Sequence, residues 1–174
     1  MDPTAILREE HEVILRVLAS LECLADEAKR ERKLDAVSAG QALDFLRTFA
    51  DDLHHGREED LLFPRMREHG AGAPVSVMLQ EHEAGRALVR SMAAALQAHD
   101  VDAFVRSAGE FIPLLQHHII KENMILFPMA EHLLPKEVMA ELAEKFEAAE
   151  RERAPETRER MLGIAARLCA RMEA

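Results

Sequence analysis

The sequence predicts an all-α protein: an up-down-up-down four-helix bundle with two extra C-terminal helical segments. Three observations carry that expectation. Leu, Ala, Glu and Arg dominate, Gly and Pro number only seven each, and the strand-favouring residues Trp and Tyr are absent. Apolar residues recur at steps of three and four through long stretches, which is the helical period. The breaks between those stretches are short, which favours antiparallel neighbours. With 48% hydrophobic and 31% charged residues, the chain can bury a core as a single domain over 1–174 and is not expected to be disordered.

The first helix begins near Pro3 and Thr4, with Thr4 placed to cap it, and runs to about Lys29. Its stripe of Leu7, His11, Ile14, Leu18 and Leu21 stays on one face. A charged loop follows, from Lys29 to Asp35. The second helix runs from near Ser38 to about His69 and carries Leu43, Leu46, Ala50, His54, Glu58 and Leu61. Gly70-Ala71-Gly72-Ala73-Pro74 ends it. The third starts at Pro74, a residue suited to a first turn, and reaches about Ala98 through Val75, Met78, His82, Gly85, Val89, Met92 and Leu96. The fourth spans about Val101 to Leu133 with Phe104, Ala108, Phe111, Leu115, His118, Glu122, Ile125 and Met129. Pro113 should kink or interrupt it. The bundle thus covers about residues 4–133. Segments near Pro135–Ala149 and Glu156–Met172 form the extension, about 135–172.

A net charge of −10 disfavours nucleic acid and anionic membranes as partners. No apolar run approaches the roughly 20 residues needed to span a bilayer. Cys23 and Cys169 are too few for a disulfide framework, and the first residues hold no apolar signal core. The cytoplasm is the compartment this predicts.

Nine histidines stand out, and a repeat sorts them. His54-His55-Gly56-Arg57-Glu58 and His118-Ile119-Ile120-Lys121-Glu122 are each followed, three residues later, by Leu-Phe-Pro, with a common offset of 64. Glu10-His11-Glu12 matches Glu81-His82-Glu83 at an offset of 71. Aligning Leu-Phe-Pro selects His54/Glu58 over His55/Glu59, and His118 over His117. His55 and His117 neighbour the ligands in sequence and are expected either just behind them or at the helix flank. Glu10, Glu12, Glu59, Glu81 and Glu83 are placed either to orient ligand imidazoles through hydrogen bonds or on a solvated charged face, the latter expected for most of them, and Arg57 and Lys121 are read as pointing outward. His69, His99 and His132 lie near helix ends, where the dipole favours them.

Positions i and i+4 share a helix face, so an imidazole and a carboxylate there can bind one ion, or the carboxylate can bridge to a second. Four helices then offer His11, His54, Glu58, His82, His118 and Glu122 to one axis. Two bridging carboxylates and two imidazoles per ion give four protein ligands. An oxo or hydroxo bridge makes five and leaves one position for dioxygen, nitric oxide, peroxide or water. Mixed imidazole and carboxylate ligation suits iron or manganese, with zinc a substitute. Burying these groups without partners costs about 1–3 kcal/mol each, a cost that metal binding removes.

At these residues the sequence resembles the hemerythrin-like family, the HHE cation-binding domain. The pattern His…His-x-x-x-Glu…His…His-x-x-x-Glu covers about residues 5 to 130, and His-His-x-x-Glu-Glu-x-x-Leu-Phe-Pro is a specific signature. The resemblance implies a four-helix bundle with a non-haem centre of two iron ions, ligated by His11, His54, Glu58, His82, His118 and Glu122. Two departures matter. Oxygen-carrying members place a second His one turn after the third-helix His, where this chain has Arg86. Their last ligand is an Asp, where this chain has Glu122. Those departures move the expectation from a dedicated oxygen carrier toward sensing, peroxide or nitric oxide chemistry, or iron handling. A ferritin-like arrangement needs Glu-x-x-His, the reverse order.

Three functions follow as expectations: binding of a small ligand for sensing, storage or stress response; an enzyme decomposing peroxide or reducing nitric oxide; or an iron-buffering or structural bundle. No acid–base residue beyond the ligands is assignable, so catalysis is left open. A protein partner is expected, if anywhere, at the C-terminal helices.

Overall fold

Six helices run through the described residues, 2–152 and 155–173 of a computed structural model, and no strand occurs among them. Met1, Arg153, Ala154 and Ala174 of the expected domain fall outside that description. Helix α1 is Pro3–Glu31, α2 spans residues 36–68, α3 is Gly72–Gln97, α4 spans residues 101–133, α5 is Lys136–Glu152 and α6 is Pro155–Glu173. Among the described residues no helix is long and apolar enough to cross a membrane.

Three aspartates begin helices by accepting an orphan backbone N–H: Asp2 from Thr4, Asp35 from Ser38 and Asp100 from Ala103. The first cap is therefore Asp2, not Thr4. Pro3 has no N–H and sets the first turn, which leaves the Thr4 N–H to be capped. The Thr4 hydroxyl instead donates to Glu131 of α4 at 2.7 Å.

Helices α2 and α4 are not uniform. Leu46–His55, Glu58–Leu62 and Glu122–Leu126 are wound as π-helix. The N–H of Phe63 donates to the carbonyl of Glu58, five residues back, and Phe127 does the same to Glu122. Pro64 and Pro128 come next. Proline lacks an N–H and crowds the carbonyl four residues before it, and a wider turn lets the helix continue past it. The periodicity predicted plain α-helix here; the Leu-Phe-Pro repeat carries the departure. Pro113 lies exposed inside an unbroken Val101–Lys121, with Gly109 four residues before it. Solvent can satisfy the carbonyl that it frees.

Two apolar clusters fill the interior. One holds Ile14 and Leu18 of α1, Phe45 and Leu53 of α2, Val89 and Met92 of α3, and Phe104 and Leu115 of α4. The other holds Leu7, Leu62, Phe63, Val75, Met78, Leu126 and Phe127. Helices α1 and α3 pass from the second cluster to the first, and α2 and α4 return. That is the up-down-up-down order, and α1 touches α2 and α4 while α3 touches the same two. The extension adds Leu142 and Phe146 of α5 to the second cluster, and Met161, Ile164 and Leu168 of α6 to the first. It therefore lies along the flank of the bundle, with α6 against α1 and α2.

Candidate metal centre

Between the two clusters lies a polar layer. His11, His54, Glu58, His82, His118 and Glu122 all lie in it, none more than 2% exposed. The structure brings together all six residues that the sequence singled out.

Each glutamate spans two imidazoles. Glu58 sets Oε1 3.5 Å from His54 Nε2 and Oε2 3.4 Å from His82 Nε2. Glu122 sets Oε2 3.2 Å from His11 Nε2 and Oε1 3.2 Å from His118 Nε2. The imidazoles pair as well: Nε2 of His11 and His54 are 2.9 Å apart, and those of His82 and His118 are 3.0 Å apart. The outcome is two positions, His11/His54 and His82/His118, joined by two carboxylates.

The outer ring nitrogens fix how these rings are protonated. Nδ1 of His54 faces Glu10 at 2.9 Å, His118 faces Glu81 at 2.8 Å, His82 faces Glu59 at 2.7 Å, and His11 faces the Asn123 oxygen at 2.8 Å. An acceptor there requires Nδ1 to carry the proton in the neutral ring, so Nε2 presents a lone pair inward. Two lone pairs at 2.9 Å repel and make no hydrogen bond with each other. Nor does any hydrogen-bond donor among the described residues meet the four buried oxygens of Glu58 and Glu122. Burial and the facing Glu122 carboxylate push the Glu58 carboxyl well above its ordinary range. Inward lone pairs, an anionic Glu122 and a Glu58 that burial discourages from ionising are what a pair of cations satisfies, so the donor set fits metal. Among the described residues, two groups have ligand atoms within 4.8 Å of one another: His11, His54, Glu58 and Glu122, and His55, Glu58, His82 and His118.

Several neighbours stand differently from their sequence reading. Of the two places open to His55, it takes the one behind the ligands: it is buried, with its ring stacked 3.8 Å from that of His82 and its Nδ1 3.3 Å from Asp51. His117 is exposed. Glu10, Glu59 and Glu81 are not simply solvated, since each orients an imidazole; Glu12 and Glu83 are exposed. Arg57 does not point outward but is 5% exposed and donates to Glu10, and Lys121 likewise pairs with Glu81. Burial alone would raise the Glu10 carboxyl, but His54, Arg57 and Arg158 outweigh it and hold it down to about 2. Arg86 binds Asp51 at 2.9 Å and Glu59 at 2.5 Å, thereby bracing the acceptors of His55 and His82. Phe63 and Phe127 of the Leu-Phe-Pro repeats stack on His82 and His11. Asn123 was missed because it repeats no carboxylate: it stands where the other half has Glu59.

The family model described as the hemerythrin HHE cation-binding domain matches residues 2–130. The chain belongs to the hemerythrin HHE cation-binding family. Uncharacterised proteins of Mycobacterium bovis and Mycobacterium tuberculosis are each 27% identical to it over 158 residues, covering 84% of this chain and 60% of theirs. The chain thus spans well under two thirds of the length of these curated relatives. Within this HHE-family chain the matched region takes in the whole polar layer and stops before α5 and α6.

Proposed function

We propose that this HHE-family chain holds two iron ions between its imidazole pairs and binds a small ligand there, dioxygen, nitric oxide or peroxide, in sensing, storage or a stress response. The observation that carries the reading is the span of Glu58 and Glu122, each with one oxygen toward either imidazole pair. Iron bound there supplies an open coordination position and a change of oxidation state. The protein's own residues aim and shield it. Glu10, Glu59, Glu81 and Asn123 hold the Nδ1 protons, so the lone pairs stay turned inward. Phe63 and Phe127 cover two of the rings. A cavity of about 140 Å³ between α2, α3 and α4 opens onto His55, His82 and His118, with Leu46, Val89, Phe111 and Leu115 in its walls. That gives an uncharged ligand an apolar approach. Manganese or zinc suits the same donors.

The first test is metal content with the near-ultraviolet and visible spectrum of aerobically purified protein. With neither Trp nor Tyr, the chain leaves iron charge-transfer bands unobscured. His54→Ala, Glu58→Ala, His118→Ala and Glu122→Ala are each expected to lose most of the metal, and full retention in all four overturns the proposal. Steady turnover of peroxide would favour an enzyme. Metal-dependent melting without any ligand response would leave an iron-buffering bundle.

A further inference from the structure

Two of the groups that hold the imidazoles form a matched pair, to which one side adds a cation. Glu10 and Glu81 occupy equivalent places in the repeat, and each accepts from an imidazole of the neighbouring helix, His54 and His118. Each also takes a cation from the residue just before a central glutamate, Arg57 and Lys121. Glu10 takes one more: Arg158 of α6 donates to its Oε1 at 2.5 Å. The Glu10 side chain is 1% exposed, whereas that of Glu81 is 18% exposed. Arg158 is itself braced, over the Phe49 ring at 5.3 Å and 3.4 Å from Glu150 of α5.

A carboxylate buried that deeply needs its charge matched to remain a fixed acceptor. Arg57 and Arg158 both bind Oε1, which leaves Oε2 free for the Nδ1–H of His54. On the other side, Lys121 of α4 and Arg86 of α3 brace the acceptors of His118 and His82, so that position is supported from within the bundle. Helix α6 lies beyond the residues that the family match covers.

We infer that Arg158 is a positioning residue by which the C-terminal helix, through Glu10 and His54, tightens the His11/His54 metal position and leaves the His82/His118 position unaffected. The inference rests on the proposed metal pair. The C-terminal extension thereby adds to an inequivalence of the two halves that Asn123, standing where the other half has Glu59, already sets. Linkage requires the converse too: an ion in the His11/His54 position favours the docked state of α6.

The test is an anaerobic titration of the metal-free full chain with ferrous iron, for wild type, Arg158→Ala, Arg158→Lys and Arg160→Ala. Arg160 lies on the same helix and pairs with Asp44 at 2.8 Å at the exposed surface, so its loss removes an α6 ion pair of little worth without touching Glu10. Wild type is expected to bind in two separable steps. Arg158→Ala weakens one step by roughly tenfold, the low end for groups that orient a metal ligand, and leaves the other in place. Arg158→Lys recovers part of the loss, and Arg160→Ala leaves both steps intact. Melting of the metal-free variants shows whether they fold, and the Lys variant carries the comparison if the Ala variant does not. The inference is overturned if Arg158→Ala changes neither step or both alike, or if Arg160→Ala gives the same loss. A wild-type chain that takes up no ferrous iron overturns the metal reading and this inference with it, whereas the other outcomes strike the inference alone.

Discussion

His54 sits where a charged imidazole is costly. Burial depresses its pKa from 6.5 to about 4, although the bond to Glu10 pulls the other way. In metal-free protein the unfolded chain therefore binds more protons than the folded one between those values, and stability rises with pH. The contribution is complete above about 6.5 and is lost as pH falls toward 4; the size of the shift puts it at about 3 kcal/mol. Glu10, lowered from 4.5 to about 2, acts in the same sense further down. Glu58, raised by burial, opposes this over the same range, but the buried His55 and His82, both lowered, act with His54, so the melting temperature of metal-free protein should fall as pH drops from about 6.5 toward 4, and a flat profile over that range contradicts this. A second expectation concerns His55. His55→Ala should lower metal content, through the His82/His118 position, while His117→Ala leaves it at the wild-type level; metal analysis decides. The six central residues were legible because a repeat marked them twice. The repeat marked Glu10/Glu81 and Arg57/Lys121 as well, but equivalence alone did not tell an orienting carboxylate from a solvated one or turn the two cations inward. His55 was legible only as one of two alternatives, because on an α-helix a neighbour of His54 turns about 100° away from it.

At the scale of the element, π-helix and proline act together. Glu58 and Glu122 each open a π segment that ends just before Phe-Pro. Pro64→Ala restores an N–H that can bond four residues back, so the turn can relax to α-helix and rotate Glu58 away from the imidazoles. The expected result is metal-free protein that melts no lower than wild type but binds ferrous iron more weakly, by up to roughly tenfold. Unchanged iron affinity would show that the winding does not depend on the proline. Helix positions were legible to within a few residues from the apolar stripes and the breaks between them. The π segments were not, because a one-residue widening shifts a 3.6-residue period too little to see over five residues.

For the whole molecule, the C-terminal helices belong to the core. Phe146 is 1% exposed among Leu62, Phe63 and Leu142. Phe146→Ala should cost about 3–5 kcal/mol, read as a lowered denaturant midpoint with all metal ligands intact. The placement of α5 and α6 was not legible, because an amphipathic stripe shows that a helix must be covered and not which neighbour covers it. The polar layer has a further consequence. It cuts the interior into two apolar halves joined by a seam of ionisable groups. A seam with no cations in it couples the halves poorly, so amide hydrogens at the Phe63/Phe127 end and the Phe45/Phe104 end can exchange through separate openings. On the proposed reading, filling the seam makes both ends open together, and metal content then governs the cooperativity of the molecule as well as its stability.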